Sequence, residues 1–273
     1  MTLYPLVFQL GPLTITGYGL MMMVAFLLGG WAMQSELRRR GMNEEYAADI
    51  VVAAVVGGIV GAKLWYVALT RDPAALLSRG GLVWYGGFLG GVVAVMLNGM
   101  RRKVPIRLTM ELTAPALALG YAIGRVGCFL VQDDYGMPTT LPWGMRFPKG
   151  LPPTTAGNLQ QMFGAHVPAN TPPWEVLPVH PTQLYETALM MVAFWVLWRL
   201  RAHRHASGWL FGLYLIFGGL ERFLVEFLRA KDDRFLGGFT IAQVTSLALV
   251  AAGLAVAAKW WAPGEAGVIE AKV

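Results

Sequence analysis

Three observations place this chain in the all-α class, as a polytopic membrane protein with seven transmembrane helices and a small irregular external head. Its 273 residues are 56% hydrophobic and only 14% charged, where a soluble domain carries about 25% charged residues. Apolar runs long enough to cross hydrocarbon recur along it. One long connection, 132–180, interrupts them and holds nine of the sixteen prolines. The expected organisation is residues 1–131 with four spans, 132–180 as the head, and 181–273 with three spans and a tail.

The runs fall near 13–35, 46–69, 80–100, 109–131, 181–200, 207–229 and 238–260, each close to the roughly 20 residues a spanning helix needs. The first lacks a basic start and is followed by Arg38, Arg39 and Arg40, so it is expected to stay in the membrane rather than be cleaved. The third carries GGLVWYGGFLGG at 80–91, small residues that allow close helix packing. The fourth closes on YAIGRVGCFLVQDDYG, residues 121–136, with Arg125 inside the run. The head carries Trp143, Phe147, Phe163 and Trp174, too many large apolar groups for a disordered linker. The sixth ends on ERFLVEFLR, residues 221–229, whose Arg222, Glu226 and Arg229 share one helical face.

The formal charge is +6, but the basic residues sit in short loops, which argues against a nucleic-acid partner and for membrane topology. The connections at 36–45, 101–108 and 199–206, with the C-terminal tail counted from Lys259, hold twelve Lys and Arg; the opposite set holds six. The richer side is cytoplasmic by the positive-inside rule, which puts the N-terminus outside and the C-terminus inside. The single cysteine, Cys128, excludes an internal disulfide and a thiolate metal cluster.

Measured from the outer end of each run, Tyr18, Lys63, Tyr85, Arg125, Glu186, Arg222 and Gln243 lie five to seven residues deep, about 8–11 Å. No matching layer is expected near the inner ends, and His203 and His205 read as solvated loop residues. An arginine inside a span marks a working site with a partner. Two at one depth repel unless an anion lies between them, and a phospholipid phosphate suits the guanidinium fork.

At these residues the chain resembles the prolipoprotein diacylglyceryl transferase family. GRVGCFLVQDDYG (124–136) follows its central motif, HPTQLYE (180–186) its H-P-[ST]-Q-L-Y-E, and ERFLVEFLR its R-x-x-x-E-F-x-R. The resemblance implies transfer of a diacylglyceryl group from phosphatidylglycerol to the lipobox cysteine of a secreted lipoprotein precursor. It implies no cofactor, and a bacterial inner-membrane location among membrane lipids. By motif position, Arg125 and Arg222 would bind the phosphate, with Glu226 orienting Arg222. Tyr18, Tyr85 and His180 would surround the headgroup, and Asp133, Gly136, Glu186 and Arg229 complete the substrate-binding set. The chain departs from the pattern at Cys128 and Val131, where asparagines are usual, at Asp133 for glutamate, and at Tyr85, where many members carry histidine. The rival readings are a lipid-binding or lipid-moving protein using the same phosphate site, and a transferase with a different donor or acceptor. A paired-repeat transporter finds no repeat, and a serine protease would have only Ser246 well inside a span, without a nearby histidine partner.

Overall fold

The computed structural model describes residues 1–262 apart from 12, 78–80, 232, 233 and 237; Gly80, where the third run was expected to begin, lies outside the described residues. A short antiparallel hairpin opens the chain, β1 (Val7–Leu10) paired with β2 (Leu13–Thr16). It leads into α1 (Gly17–Arg39), capped by Thr16, whose hydroxyl accepts from the Gly19 amide. Then come α2 (Glu45–Thr70), a 3-10 turn (Pro73–Leu77), α3 (Trp84–Arg101), α4 (Ile106–Val131), the short α5 (Ala156–Phe163), α6 (Thr182–Leu200) and α7 (Trp209–Glu226). A second small ribbon, β3 (Arg234–Leu236) with β4 (Phe239–Thr240), precedes α8 (Ile241–Lys259).

Four of these helices, α1, α2, α4 and α8, are long and apolar enough to cross a membrane by length and composition. Many of their large apolar side chains face outward: Leu27, Trp31, Val52 and Leu69 are exposed. In water such a surface is costly at about 25 cal/mol per Å²; in lipid it is not, and the chain is a membrane protein. α4 is the central post. It packs against α1 on one side and α6 and α7 on the other, while α3 leans on α2 and α8 on α7.

α2 and α3 approach through glycines. A Cβ added at Gly61 would overlap the Gly86 carbonyl oxygen, and one at Gly90 would overlap that of Gly57. Backbone touches backbone there, which gives apolar helices contact where lipid offers no hydrophobic drive. The GGLVWYGGFLGG stretch therefore has a packing role.

Segment 132–180 is folded. Tyr135, Phe147, Leu159, Ala165 and Val179 make a buried cluster with Ala230, backed by Phe129 and Leu3. Bridges tie Pro138 and Met145 to Val179, and Thr155 to Val176.

Two expectations change. The helices begin later than the apolar runs, so Tyr18, Tyr85 and Gln243 lie in the first turns of α1, α3 and α8 instead of deep in a span. Gln243 closes a capping box with Thr240, satisfying the free amides that open a helix. At the opposite end, a buried polar cluster exists where none was expected. The Glu111 carboxylate accepts from the Gly208 and Leu210 amides at 2.7 and 3.3 Å, so α4 caps the start of α7. Its other oxygen meets His203 Nε2 at 2.5 Å. His203 is thus buried against Glu111, not solvated; the loop folds back because α7 needs a cap that its own Gly208 cannot supply.

Candidate active site

Three strands of irregular backbone meet where α4 ends. Gln132 closes α4 in the left-handed region (φ 64°), and Asp134 repeats that conformation two residues on (φ 61°). The chain from Tyr135 to Met137 then runs between the segments around His180 and Leu228. The Gly136 amide donates to His180 O at 2.8 Å, the Met137 amide to Leu228 O at 2.8 Å, and the Ala230 amide to Tyr135 O at 3.3 Å. A Cβ at Gly136 would overlap the Leu228 carbonyl and press within 2.8 Å of His180 Cβ and Thr182 Cγ2. Gly136 is therefore required by close approach, a positioning role.

The HPTQLYE stretch supplies the next layer. Thr182 Oγ1 donates to Asp134 O at 2.8 Å, and Gln183 Nε2 to Asp133 O at 2.6 Å. Both carbonyls are pinned, so the Asp134 carboxylate has one place to go. It accepts from Arg125 Nη1 at 2.9 Å through one oxygen and from Arg229 Nη2 at 2.5 Å through the other.

From there a closed ring of alternating charge can be followed. Arg229 Nε lies 3.7 Å from Glu226 Oε2, and Arg222 Nη2 lies 2.8 Å from that same oxygen. Arg222 Nη1 donates to Glu186 Oε1 at 3.3 Å, and Glu186 Oε2 pairs with Arg125 Nη2. A chord crosses the ring, since Arg229 Nη1 also donates to Glu186 Oε1, at 3.4 Å. Three arginines from α4, α7 and the turn after it meet Asp134, Glu186 and Glu226, so the ring is neutral as a whole. Glu186 and Glu226 have no exposed side-chain surface. Removing one partner from so buried a set costs about 3–5 kcal/mol. Thr240 Oγ1 completes Glu226 by donating to its other oxygen at 3.1 Å, tying the start of α8 to the ring.

Exposure singles out one member. The Arg222 side chain is 24% exposed, against 11% for Arg125 and 4% for Arg229. Arg222 is held by two carboxylates and still keeps part of its surface exposed. The expected anion between the arginines is partly supplied by the protein itself, through Glu186. Glu186 and Arg222 each lie about 6 Å from their helix ends, and Arg125 about 9 Å.

The other expected residues are placed differently. His180 Nδ1 lies 3.3 Å from the Tyr185 hydroxyl, which accepts from Trp143 Nε1 at 2.8 Å. Tyr18 is 45% and Tyr85 64% exposed. Tyr18 packs on Gly127, within a turn of Arg125, while the Tyr85 ring meets the edge of Trp84. Neither shares a hydrogen bond with the ring among the described residues. Lys63 Nζ donates to Ala75 O. Cys128 Sγ is 3.6 Å from Arg125 Nη1. Asp133 faces its own backbone, with Oδ1 accepting from the Asp134 amide at 2.7 Å. The carboxylate that clamps the arginines is thus Asp134, one residue beyond the position aligned with the motif, and the doubled aspartate was the available signal.

Burial and the neighbouring Asp134 charge raise the Asp133 carboxyl above its usual range. Burial would raise Asp134 too, but Arg229 and Arg125 outweigh it and hold the carboxyl down at about 2. Burial lowers the His180 imidazole.

Comparison with known proteins gives one consistent result. The family described as prolipoprotein diacylglyceryl transferase matches residues 5–259. Proteins called phosphatidylglycerol–prolipoprotein diacylglyceryl transferase resemble the chain along most of its length. That of Clostridium tetani is 31% identical over 259 residues, covering 92% of this chain and 96% of the relative. That of Synechococcus elongatus is 33% identical over 263 residues, covering 92% and 85%. That of Pseudomonas putida strain F1 is 31% identical over 274 residues, covering 94% and 93%.

Asp134→Asn should lower stability in detergent by about 1–2 kcal/mol, allowing for screening at a side chain about one-third exposed. Asp133→Asn, which keeps its acceptor oxygen, should change it by less than about 0.5 kcal/mol. A carboxyl depressed in the fold contributes fully above its unfolded value, near 3.9, and loses the contribution only as pH falls through about 2. Thermal unfolding from pH 8 to pH 5 should show the wild-type advantage over Asp134→Asn unchanged. Equal losses in the two variants would contradict the assignment.

Proposed function

The chain belongs to the prolipoprotein diacylglyceryl transferase family, and we propose that it carries out that family's reaction at the arginine ring, moving a diacylglyceryl group from phosphatidylglycerol to a lipobox cysteine thiol. The observation that carries this reading is Arg222, gripped by Glu186 and Glu226 and still partly exposed. A guanidinium fixed in this way needs no reorganisation when charge arrives, which is where electrostatic catalysis gains most.

The chemistry sets what the site must do. A thiolate attacks the glycerol carbon that carries the phosphate; a C–S bond forms, the C–O bond breaks, and its electron pair leaves with glycerol phosphate. The phosphate passes from a singly charged diester to a monoester carrying more charge. Only contacts that strengthen with that change accelerate the step. Arg222 donates to the leaving phosphate in this reading, Arg125 backs it from α4, and Arg229 holds Asp134 and both glutamates in register. Tyr18 and Tyr85, exposed in the first turns of α1 and α3, line the approach of the lipid headgroup, with the Tyr85 hydroxyl as a ligand.

His180 takes the thiol proton. A thiol near pKa 8.5 ionises readily beside cations, and an imidazole lowered by burial is neutral, hence proton-accepting, at neutral pH. Activity on this account falls as pH drops through the histidine's lowered pKa.

The finer architecture is part of the proposal. α3, α6 and α7, of 18 or 19 residues, join the four long apolar helices to make seven spans. Segment 132–180 forms the external head, with the N-terminus outside the bacterial inner membrane and the C-terminus inside. The twelve-to-six division of loop Lys and Arg supports this orientation. So does the chemistry, because secreted precursors present their lipobox on the outer side. Single cysteines placed in 132–180, in a Cys128→Ala background, should react with an impermeant maleimide from outside; labelling only after lysis would reverse the orientation.

The decisive assay supplies the purified chain with phosphatidylglycerol and a lipobox peptide, and looks by mass spectrometry for the diacylglyceryl adduct. Arg222→Lys should cut adduct formation by about tenfold or more, because an ammonium cannot reproduce the two-point fork. Bound lipid without adduct in the wild type would favour the lipid-binding reading, and full activity in Arg222→Lys would remove the phosphate role.

A further inference from the structure

The end of the bundle away from the arginine ring holds a second charged site. A cavity of ≈ 230 Å³ is lined by Arg39, Arg40, Arg201, His203, His205 and Ser207, with Glu111 at its base. From Glu111 to Arg125 along α4 is about 21 Å, so this cavity is separate from the transferase site.

Its charges do not balance as those of the ring do. Three arginines face two carboxylates, Glu36 and Glu111. The Glu36 oxygens are already taken by Arg39 at 2.6 and 2.8 Å and by Arg40 at 2.6 Å. Glu111 is committed to the α7 amides and to His203, so Arg40 Nη2 stands off at 3.7 Å from Glu111 and Arg201 Nε at 3.7 Å from Glu36, ion pairs too long to be hydrogen bonds. The His205 amide donates to His203 Nδ1 at 3.0 Å. Nδ1 is therefore unprotonated, and the proton on Nε2 is donated to Glu111, leaving His203 neutral. The surplus is one positive charge.

The donors are also in surplus. Arg40 makes one hydrogen bond, from Nε to Glu36, and Arg201 makes one, from Nη1 to Trp198 O at 3.0 Å, among the described residues. The Arg40 side chain is only 8% exposed, yet none of its nitrogens is sealed from the surface without a partner. They open on the cavity. Guanidinium groups from two helix ends, converging on a polar pocket with a serine hydroxyl, match the oxygens of a phosphate.

The rim points to where that phosphate sits. Arg201 lies 3.9 Å over the Trp198 ring, which stacks on the exposed Trp31 at 5.8 Å. The His205 ring lies tilted against the exposed Trp261, centroids 4.5 Å apart. Trp198 lies two residues from the end of α6 and Trp261 two residues past α8, and tryptophans at helix ends mark headgroup depth.

We propose that this cavity binds a phosphate group, as an anion site on the face opposite the transferase centre. The phosphate of an anionic phospholipid headgroup and free inorganic phosphate offer the same chemistry, and the test separates them. Native mass spectrometry and thermal shift of the purified full chain would be run in three arms: inorganic phosphate, phosphatidic acid, and phosphatidylcholine as the zwitterionic control. Wild type should take up one equivalent that weakens about tenfold or more in Arg201→Gln and in Arg39→Gln, the loss expected for one charge-assisted contact. Arg222→Gln should leave that equivalent in place. Ser207→Glu, which breaks no ion pair and adds a negative charge to the lining, should abolish it even if the arginine variants fold poorly. Uptake confined to phosphatidic acid identifies a lipid site, and uptake in the phosphate arm as well identifies a free-phosphate site. Uptake that all these variants leave unchanged, or no uptake in either anionic arm, overturns the proposal.

Discussion

An arginine buried among apolar helices has to find negative charge, and much of this structure follows from how three arginines do so. Arg125, Arg222 and Arg229 would repel each other strongly at such spacing. Glu186 lies against all three, and Asp134 and Glu226 close the circuit. The ring explains why α6 must begin where it does, since HPTQLYE delivers both Glu186 and the Thr182 and Gln183 bonds that aim Asp134. It also explains the double left-handed turn after α4, without which Asp134 would not reach Arg125 and Arg229 together.

The two ends of the bundle use the same residue types differently. At the ring, three positive and three negative groups cancel, and each arginine is held by at least two carboxylates. A neutral, multiply paired clamp suits a reaction in which charge appears only on the way to the transition state. At the far end two carboxylates serve three arginines, and one of those carboxylates is occupied in capping α7. The first arrangement holds arginines ready, whereas the second leaves a net charge facing a cavity.

Much of this was readable from residue order. Four of the expected apolar runs correspond to helices long and apolar enough to cross a membrane. The i, i+4 spacing in ERFLVEFLR put Arg222 and Glu226 on one face of α7, whereas Arg229 lies beyond the helix end, bridged to Gly136. Other features depend on backbone that periodicity does not encode. Helices begin at caps, not where apolar residues begin, which moved Tyr18, Tyr85 and Gln243 out of the expected layer. Asp134 displaced Asp133 because left-handed residues at 132 and 134 rotate the second carboxylate toward the arginines. The Glu111 cluster was hidden because Glu36, Glu111 and His203 lie far apart in the chain, and only helix packing unites them.

The central claim is that Glu186 is the hub that makes three arginines usable together. The most direct measurement is the rate of diacylglyceryl adduct formation by Glu186→Gln, with its unfolding temperature recorded alongside. Glutamine keeps the shape and removes the charge. The account requires adduct formation to fall by about a hundredfold or more, with stability reduced by about 3 kcal/mol, as for a buried pair that loses one partner. A Glu186→Gln protein with wild-type rate and wild-type unfolding temperature would show that the arginines do not depend on this carboxylate, and the ring would lose its meaning.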